Sequence, residues 1–198
     1  MEGIIKFKAN WKNIESVSDS EYDFINPWRQ ECFNKSLIGV GDDRIGYGNI
    51  SFRIGDTNQF IISGSATGHI PDLKKKHYSK VIDFNILNNS IDCEGRTIAS
   101  SESMSHAALY AANDNIKCVI HLHHKVLWEN NLYLYPTTDI SIEYGTVDMA
   151  QNVFELAKEF SEGAIIMGGH KDGIIIFGSS YDSCLKQQLI RNIYKKIQ

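Results

Sequence analysis

Three histidines of this chain have the residue type and the spacing to bind one divalent metal ion. His121 and His123 form a His-x-His pair, and His170 follows two glycines farther along the chain. In an extended strand alternate side chains point to the same face, so the imidazoles of the pair can converge on a single ion. Three neutral imidazoles with open coordination positions are typical of catalytic zinc, whereas structural sites usually have four Cys or His ligands. We therefore predict a zinc site formed by His121, His123 and His170, with Mn²⁺ and Co²⁺ as the alternatives.

Glu102 precedes His121 by 19 residues and stands at the start of a predicted helix. A carboxylate at this end of a helix is stabilised by the positive end of the helix dipole, which by itself would explain the residue. Beside a metal-bound carbonyl substrate, the same carboxylate could take up and return a proton while the ion stabilises negative charge. We predict Glu102 as the acid and base of the site.

Three segments have the composition of an anion-binding site. Gly48–Ser51 and Ser63–Gly68 combine glycines with short hydroxyl or amide side chains, and Ser100 and Ser101 precede the predicted helix. Backbone N–H groups at a helix N-terminus and in glycine-rich turns favour phosphate. Ordinary turns also favour Gly, Ser and Asn, so each segment alone is weak evidence. Their combination with a metal site predicts a substrate that carries an anionic group.

The overall composition argues against nucleic acid and membranes as partners. The chain has 20 basic and 24 acidic residues, and its one compact basic run, Lys74–Lys76, is predicted to be a solvated loop. The four cysteines form no Cys-x-x-Cys pair, so the thiols are expected to be reduced. No segment reaches the roughly 18 apolar residues of a membrane span, and Met1–Asn10 lacks the apolar stretch of a secretion signal. We therefore predict a soluble, cytoplasmic protein.

Hydrophobic periodicity predicts helices and strands that position these residues. The predicted helices are Glu21–Lys35, with Pro27 near its first turn, Ser101–Ala112, capped by Ser100 or Ser101, Thr146–Phe160, and a C-terminal helix with Leu185, Leu189, Ile193 and Ile197 on one face. The predicted strands are Asn49–Ile54, Phe60–Ser63, Val81–Ile86, Lys117–His123, Ala164–Met167 and Gly173–Phe177, and Gly39–Gly48 is predicted as a loop. The chain shows no strict βαβ order, no internal repeat and no linker, which predicts a single mixed α/β domain over residues 1–198.

From Gly39 to Tyr181, these motifs resemble those of the class II aldolase/adducin family. The resemblance identifies Gly48-Asn49-Ile50-Ser51 and Ser63-Gly64 with two phosphate-binding motifs, and Ser100-Ser101-Glu102 with a serine pair followed by the catalytic acid. It identifies His121, His123 and His170 with the three zinc ligands, and Tyr144-Gly145-Thr146 with a turn before a helix. The residues that it implies for substrate or phosphate binding are Asn49, Ser63, Gly64, Ser100 and Ser101.

The resemblance implies both a fold and an activity. The fold is an α/β, three-layer α/β/α sandwich with a central, mostly antiparallel sheet, usually assembled as a homotetramer with active sites between subunits. The activity is that of a zinc-dependent lyase of the aldolase type, which acts on a phosphorylated ketose or a similar hydroxy-carbonyl compound. This chemistry passes through a metal-stabilised enediolate, with Glu102 as acid and base. A glutamate at this position resembles the aldolases more than the epimerases, which tend to carry aspartate there.

The sequence departs from the family pattern at three places. Gly46 stands where the aldolases tend to have a phosphate-binding threonine, and Lys171–Gly173 follows His170 where the family usually has glycine directly. The span from His123 to Gly145 is only 22 residues and looks short for the family. In the aldolases this region supplies a tyrosine that protonates the leaving group, and the candidates here are Tyr133, Tyr135 and Tyr144.

Other functions are compatible with the sequence. The chain could be an epimerase or a dehydratase of the same family, because these reactions start from a similar carbonyl intermediate. It could be a non-catalytic binding module similar to the adducin head, which keeps the fold and loses the metal ligands. A cupin-like oxygenase is a further alternative, since Glu129 follows the His-x-His pair near the cupin spacing, although a helix-rich chain does not suit an all-β barrel.

Overall fold

The computed structural model of the chain describes residues 3–41 and 44–190, which are arranged around one large sheet. The strands are β1 (Lys8–Lys12), β2 (Gly39–Val40), β3 (Gly46–Tyr47), β4 (Asn49–Arg53), β5 (Phe60–Ser63), β6 (Tyr78–Asn85), β7 (Ser90–Glu94), β8 (Cys118–His123), β9 (Gly163–Ile166) and β10 (Gly173–Gly178). The α-helices are α1 (Asp19–Asn34), α2 (Ser103–Ala112), α3 (Lys125–Asn131), α4 (Val147–Ala157) and α5 (Tyr181–Lys186), and a short 3-10 helix covers Lys75–His77.

Eight of these strands form the central sheet, in the order β1-β7-β6-β5-β4-β8-β10-β9. All neighbouring strands run antiparallel except β1 and β7, which are parallel. Strands β2 and β3 form a separate hairpin. The prediction of a central, mostly antiparallel sheet is confirmed.

Helices cover both faces of the sheet because its central strands carry apolar side chains on both sides. In β10, Ile174 and Ile176 enter a core that also contains buried residues of α1 and α5. Ile175 and Phe177 point the other way and pack with residues of α2 and α4. The two cores separate three layers, so the prediction of a three-layer α/β/α sandwich is confirmed.

Helix α1 begins two residues before the predicted helix because Ser18 forms a capping box with Glu21. The Ser18 side chain accepts a hydrogen bond from the Glu21 N–H, and the Glu21 carboxylate accepts one from the Ser18 N–H. Pro27 consequently lies in the interior of the helix, and its predicted place near the first turn is wrong. The helix continues past Pro27 because Ile25 and Arg29 are buried, and this packing offsets the backbone hydrogen bond that proline removes.

Helix α2 begins at Ser103, and its N-cap is Glu102 rather than either predicted serine. Ser100 and Ser101 instead belong to a turn, which is closed by a 3.0 Å hydrogen bond from the Ser103 N–H to the Ser100 carbonyl oxygen. The Ser100 side chain accepts a further hydrogen bond of 3.3 Å from the Glu102 N–H. The turn therefore satisfies two backbone N–H groups at the start of the helix and places Glu102 directly before its first residue.

Several elements differ from the prediction. Strands β1 and β7, the β2–β3 hairpin inside the predicted loop, and helix α3 are additional. Helix α4 ends at Ala157, three residues before its predicted end. Lys75 of the basic run lies in the 3-10 helix and pairs with Glu15 and Asp19. The run is thus partly fixed by ion pairs instead of forming a freely solvated loop.

The C-terminal helix is divided in the part of the chain that the structure describes. Leu185 lies in α5, and Leu189 lies in a further helical stretch that begins at residue 188. Ile193 and Ile197, together with positions 42 and 43 of the predicted loop, lie outside the described residues. No helix in residues 3–41 and 44–190 is long and apolar enough to cross a membrane.

Residues 136–142 first run along the free side of β9. The Thr138 N–H donates to the Ile166 carbonyl oxygen over 3.0 Å, and the Ile166 N–H donates to the Pro136 carbonyl oxygen over 2.9 Å. These bonds pair part of the edge that β9 would otherwise present to solvent.

The same residues then pass over the turn between β9 and β10. A Cβ atom at Gly168 would overlap the carbonyl oxygen of Thr138, and a Cβ atom at Gly169 would overlap the carbonyl oxygen of Ile142. The two backbones can approach this closely only because both positions are glycine. The contact fixes the chain directly before His170.

We expect Gly169→Ala to lower the free energy of unfolding by roughly 3 kcal/mol, because the backbone of residues 136–142 must move to admit the methyl group. Gly55→Ala is the control: Gly55 has a φ of +57° but open space around it, so strain alone should cost about 1 kcal/mol. Urea unfolding of both variants measures the difference. Equal losses would contradict the close approach over Gly169.

Candidate metal centre

The structure brings His121, His123 and His170 together. The first two lie at the end of β8, and the third lies in the turn between β9 and β10. One possible ligand atom from each residue lies within 4.8 Å of the others. The Nε2 atoms of His121 and His123 are 3.1 Å apart, and the three ring centroids are separated by 4.8, 4.9 and 5.1 Å. These separations bring one nitrogen of each ring close to the others, as binding of a single ion requires.

The register of β8 places two of the rings. His121 lies opposite Asn49 of β4, and His123 lies opposite Gly173 of β10. A Cβ atom at Gly173 would come within 3.1 Å of Cγ of His170 and 3.3 Å of Cε1 of His121. The missing side chain at Gly173 therefore leaves the space in which the imidazoles meet.

The surroundings of His121 favour the neutral imidazole that binds metals. Its Nδ1 atom lies 3.3 Å from the carbonyl oxygen of Ile174, so Nδ1 carries the proton and donates it. The lone pair is then on Nε2, which is the atom that faces His123. Burial and the neighbouring imidazoles hold the pKa of His121 well below its usual value. This donor set suits a divalent ion of the zinc class.

The carboxylate of Glu102 lies beside the three histidines. Glu102 is only 1% exposed, and its Oε1 atom is 3.6 Å from Nδ1 of His170. Its Oε2 atom accepts a 3.1 Å hydrogen bond from the Ser105 hydroxyl, one turn along α2. A carboxylate held here could exchange a proton with a substrate bound to the same ion.

The three predicted anion-binding segments are neighbours in the structure. The first contacts the second because the Ile50 N–H donates to the Ser63 hydroxyl over 3.3 Å. The second contacts the third through a β-bridge between Gly64 and Ala99, directly before Ser100. Since Asn49 lies opposite His121, this chain of contacts begins at the histidines.

All three segments contain buried polar groups. Ser100 and Ser101 are 5% and 4% exposed, although both are polar. Asn49 is 5% exposed, and among the described residues its Oδ1 atom has no hydrogen-bond partner. A buried amide without a partner is costly, so this side chain is suited to a ligand that completes its hydrogen bonding. The hydroxyl groups of Ser63 and Ser100, by contrast, each already accept a backbone N–H, from Ile50 and Glu102 respectively.

Backbone packing explains why position 46 is a glycine. A Cβ atom there would lie 2.8 Å from the backbone nitrogen of His69 and 3.2 Å from Cα of Gly68. A Cβ atom at Gly68 would in turn lie 2.7 Å from the carbonyl oxygen of Tyr47. The β2–β3 hairpin and the loop around Gly68 are therefore packed backbone to backbone, which leaves no room for a threonine at position 46.

Of the three candidate tyrosines, Tyr144 contacts the histidines. Its ring centroid is 4.6 Å from that of His170, and the residue is buried. Tyr133 is 72% exposed, and Tyr135 packs against the core beside α3. For Tyr133 and Tyr135, proximity to the histidines in sequence therefore did not predict contact with them in the structure.

Tyr47 is a neighbour of the site that the sequence did not indicate. Its ring stacks on that of His123, with centroids 5.6 Å apart and planes at 29°. The contact depends on the β2–β3 hairpin, which folds the chain back toward β8. The one local signal is the set of glycines in the hairpin, and glycines of this kind predict a loop equally well.

The remaining histidines have other contacts. His106 packs in the core, where its Nδ1 atom is 2.7 Å from the Ser51 hydroxyl and burial lowers its pKa to about 3. The Nδ1 atom of His77 accepts the Lys74 N–H, and that of His124 accepts the Leu127 N–H. His69 lies exposed on its loop. None of these joins the three-histidine group.

The cupin-like alternative is wrong. The central sheet is open, with β1 and β9 at its two edges, and helices cover both of its faces. Glu129 lies on α3 with 52% of its side chain exposed, away from the three-histidine group.

Solved structures with the same fold include proteins named as aldolases of sugar phosphates. YgbL from Escherichia coli, assigned provisionally as an aldolase, epimerase or decarboxylase, is 18% identical with a TM-score of 0.63, covering 89% of this chain and 86% of that one. The l-fuculose-1-phosphate aldolase from Thermus thermophilus is 17% identical with a TM-score of 0.61, covering 88% and 89%. A sugar-phosphate aldolase from Thermotoga maritima is 13% identical with a TM-score of 0.63, covering 88% and 93%. At these identities the similarity establishes the fold alone.

The sequence itself identifies the family. No curated protein matches the chain significantly. Residues 34–190 match the family model described as the Class II Aldolase and Adducin N-terminal domain. This span contains all the motifs from which the resemblance was drawn. The chain therefore belongs to the class II aldolase and adducin family.

Proposed function

We propose that this protein is a zinc-dependent lyase of the aldolase type, acting on a phosphorylated ketose or a similar hydroxy-carbonyl compound. The observation that carries the proposal is the convergence of His121, His123 and His170 beside the buried carboxylate of Glu102. A binding module would have no need of three imidazoles and a carboxylate in one place, since each is costly to bury.

The three histidines would hold the metal ion. A bound Zn²⁺ supplies Lewis acidity, which stabilises negative charge on the oxygens of a carbonyl substrate. His121 is suited to this role because its Nδ1 proton is directed at Ile174 and its pKa is low. Three protein ligands leave coordination positions for substrate oxygens.

Glu102 would transfer a proton to and from the substrate. In aldol cleavage the hydroxyl group on one carbon gives its proton to a base and becomes an aldehyde as the bond between the two carbons breaks, and the other carbon, next to the carbonyl, takes up a proton. Glu102 can deliver that proton because its carboxyl group is buried near the metal-binding nitrogens and is oriented by Ser105. Burial excludes water that would compete for the same proton.

The neighbouring segments would bind the anionic end of the substrate. Asn49 offers an amide oriented by β4, and Gly64, Ser100 and Ser101 lie near the N-terminus of α2. Backbone N–H groups in such a position favour a phosphate group. Ser63 supports this arrangement through its bond to the Ile50 N–H.

The names of the compared structures indicate which reaction types to consider. Two of the compared structures are named as aldolases of sugar phosphates, and YgbL is associated with epimerase and decarboxylase activities as well. Epimerisation or dehydration at the same site is therefore the alternative, and it is distinguished by product. A non-catalytic adducin-like module is the other alternative.

The proposal further includes a single domain over residues 1–198, a cytoplasmic location and a homotetramer with no nucleic acid or membrane partner.

We expect the purified wild-type protein to contain about one zinc ion per chain and His123→Ala to lose it, because two imidazoles bind zinc much more weakly than three. Elemental analysis measures the metal content. His69→Ala, an exposed histidine outside the group, is the control and should keep the metal. A folded wild type that binds no metal when zinc is supplied would favour the adducin-like module.

We expect Glu102→Gln to keep zinc and to lower kcat by at least about 100-fold, because the amide cannot exchange the proton. Aldehyde release from a panel of phosphorylated ketoses measures turnover. Ser105→Ala removes only the hydrogen bond to Oε2 and should give a much smaller loss. Wild-type turnover in metal-loaded Glu102→Gln would show that another residue is the acid and base.

We expect Asn49→Asp to raise KM for a phosphorylated ketose at least about tenfold, because the new charge would repel the phosphate group. The side chains have nearly the same shape, so zinc content should be retained. Asn88→Asp adds the same charge at an exposed position and should leave KM unchanged. An unaltered KM in Asn49→Asp would mean that the anionic group binds elsewhere.

A further inference from the structure

The ring of Tyr144 packs directly on one member of the three-histidine group. The centroids of Tyr144 and His170 are 4.6 Å apart, and the two planes are inclined by 32°. Tyr144 is 6% exposed and belongs to the core beneath α2 and α4. An imidazole in contact with a buried, immobile ring has less freedom to rotate about its side-chain bonds.

Lys6 holds the same tyrosine ring from the N-terminal segment. The Nζ atom of Lys6 lies 4.1 Å from the centroid of Tyr144, within the range of a cation–π interaction. The same ammonium group pairs with Oε2 of Glu143 at 2.9 Å. The lysine is thereby directed at the ring by the residue that precedes the tyrosine.

Asn89 fixes the two backbone segments that carry these side chains. Its Nδ2 atom donates to the carbonyl oxygens of Lys6 and Gly145, over 3.2 and 3.3 Å. Its backbone carbonyl oxygen accepts the Lys8 N–H over 2.7 Å. A single residue in the turn between β6 and β7 thus ties the segment before β1 to the turn after Tyr144.

His170 has more need of such support than the other two histidines. His121 is paired with both β4 and β10, and His123 is paired with Gly173 of β10, so the sheet fixes the backbone of both residues. His170 lies in a turn, so its orientation depends on the contact over Gly169 and on the side chains that pack against its ring.

We propose that Tyr144 is a positioning residue, which holds the imidazole of His170 in the orientation needed for metal binding, and that Lys6 and Asn89 support it. The inference rests on the proposed metal site and adds residues to it. It assigns the tyrosine a role through its ring, independent of any proton transfer by its hydroxyl group. Groups that orient a metal ligand typically contribute about 10- to 100-fold to metal affinity.

The test is the zinc Kd of the full chain, measured by competition with a chromogenic chelator. Tyr144→Leu should weaken zinc binding at least about tenfold, whereas Tyr144→Phe should stay close to the wild type because it keeps the ring. Lys6→Met should weaken binding by about threefold. In the Co²⁺-loaded protein, the d–d absorption bands should shift in Tyr144→Leu and not in Tyr144→Phe.

Tyr181→Leu is the matched control. Tyr181 is also buried, but it packs with Trp28 in the other core, so its loss should lower stability without changing the zinc Kd. A folded Tyr144→Leu with wild-type zinc affinity and an unchanged Co²⁺ spectrum would overturn this inference alone. A wild type that binds no zinc would overturn the proposed function as well. Should Tyr144→Leu fail to fold, wild-type zinc affinity in both Lys6→Met and Asn89→Ala would overturn the inference.

Discussion

A shift of one residue in the pairing of a strand turns every side chain to the opposite face of the sheet. Strand β8 is held between β4 and β10, and this pairing sets His121 opposite Asn49 and His123 opposite Gly173. The residue between them, Leu122, is buried in the core on the other face. Burial of the leucine thus enforces the register that presents both histidines to the site. The apolar core thereby determines the position of two candidate metal ligands.

The third histidine depends on a different kind of constraint. His170 lies in a turn that no sheet pairing fixes, and its backbone is held by the approach of residues 136–142 to Gly168 and Gly169. Glycine is required twice more, at positions 46 and 68, where the β2–β3 hairpin meets the neighbouring loop. Around the site, close contacts between backbones thus add to side-chain packing in fixing the chain.

The sequence predicts well what depends on local pattern. The His-x-His pair and the bounds of Phe60–Ser63 follow from local pattern, and the structure agrees with them. The three-layer class was implied by the resemblance to a known family, and the structure agrees with it as well. The prediction fails where pairing between segments that are distant in sequence determines the structure. Strand β1 is polar and mostly exposed, and its partner β7 lies some eighty residues away, so no local signal marks β1. Strand β7 does alternate polar residues with the buried Ile91 and Cys93, a local strand signal that the prediction missed. Pro27 was misplaced because a capping box, and not the proline, sets the start of α1. The contact of Tyr47 with His123 likewise needs the hairpin to exist first.

Residues 136–142 have two contacts whose combination matters for the behaviour of the protein in solution. They pair with part of β9 at the edge of the sheet, and they cross the glycines before His170. An uncovered edge strand presents backbone groups to which a strand of another molecule can add. Local opening of these residues would expose that edge and free the third imidazole in one event. A bound metal ion, by holding His170 in place, would therefore also protect the chain against aggregation through β9.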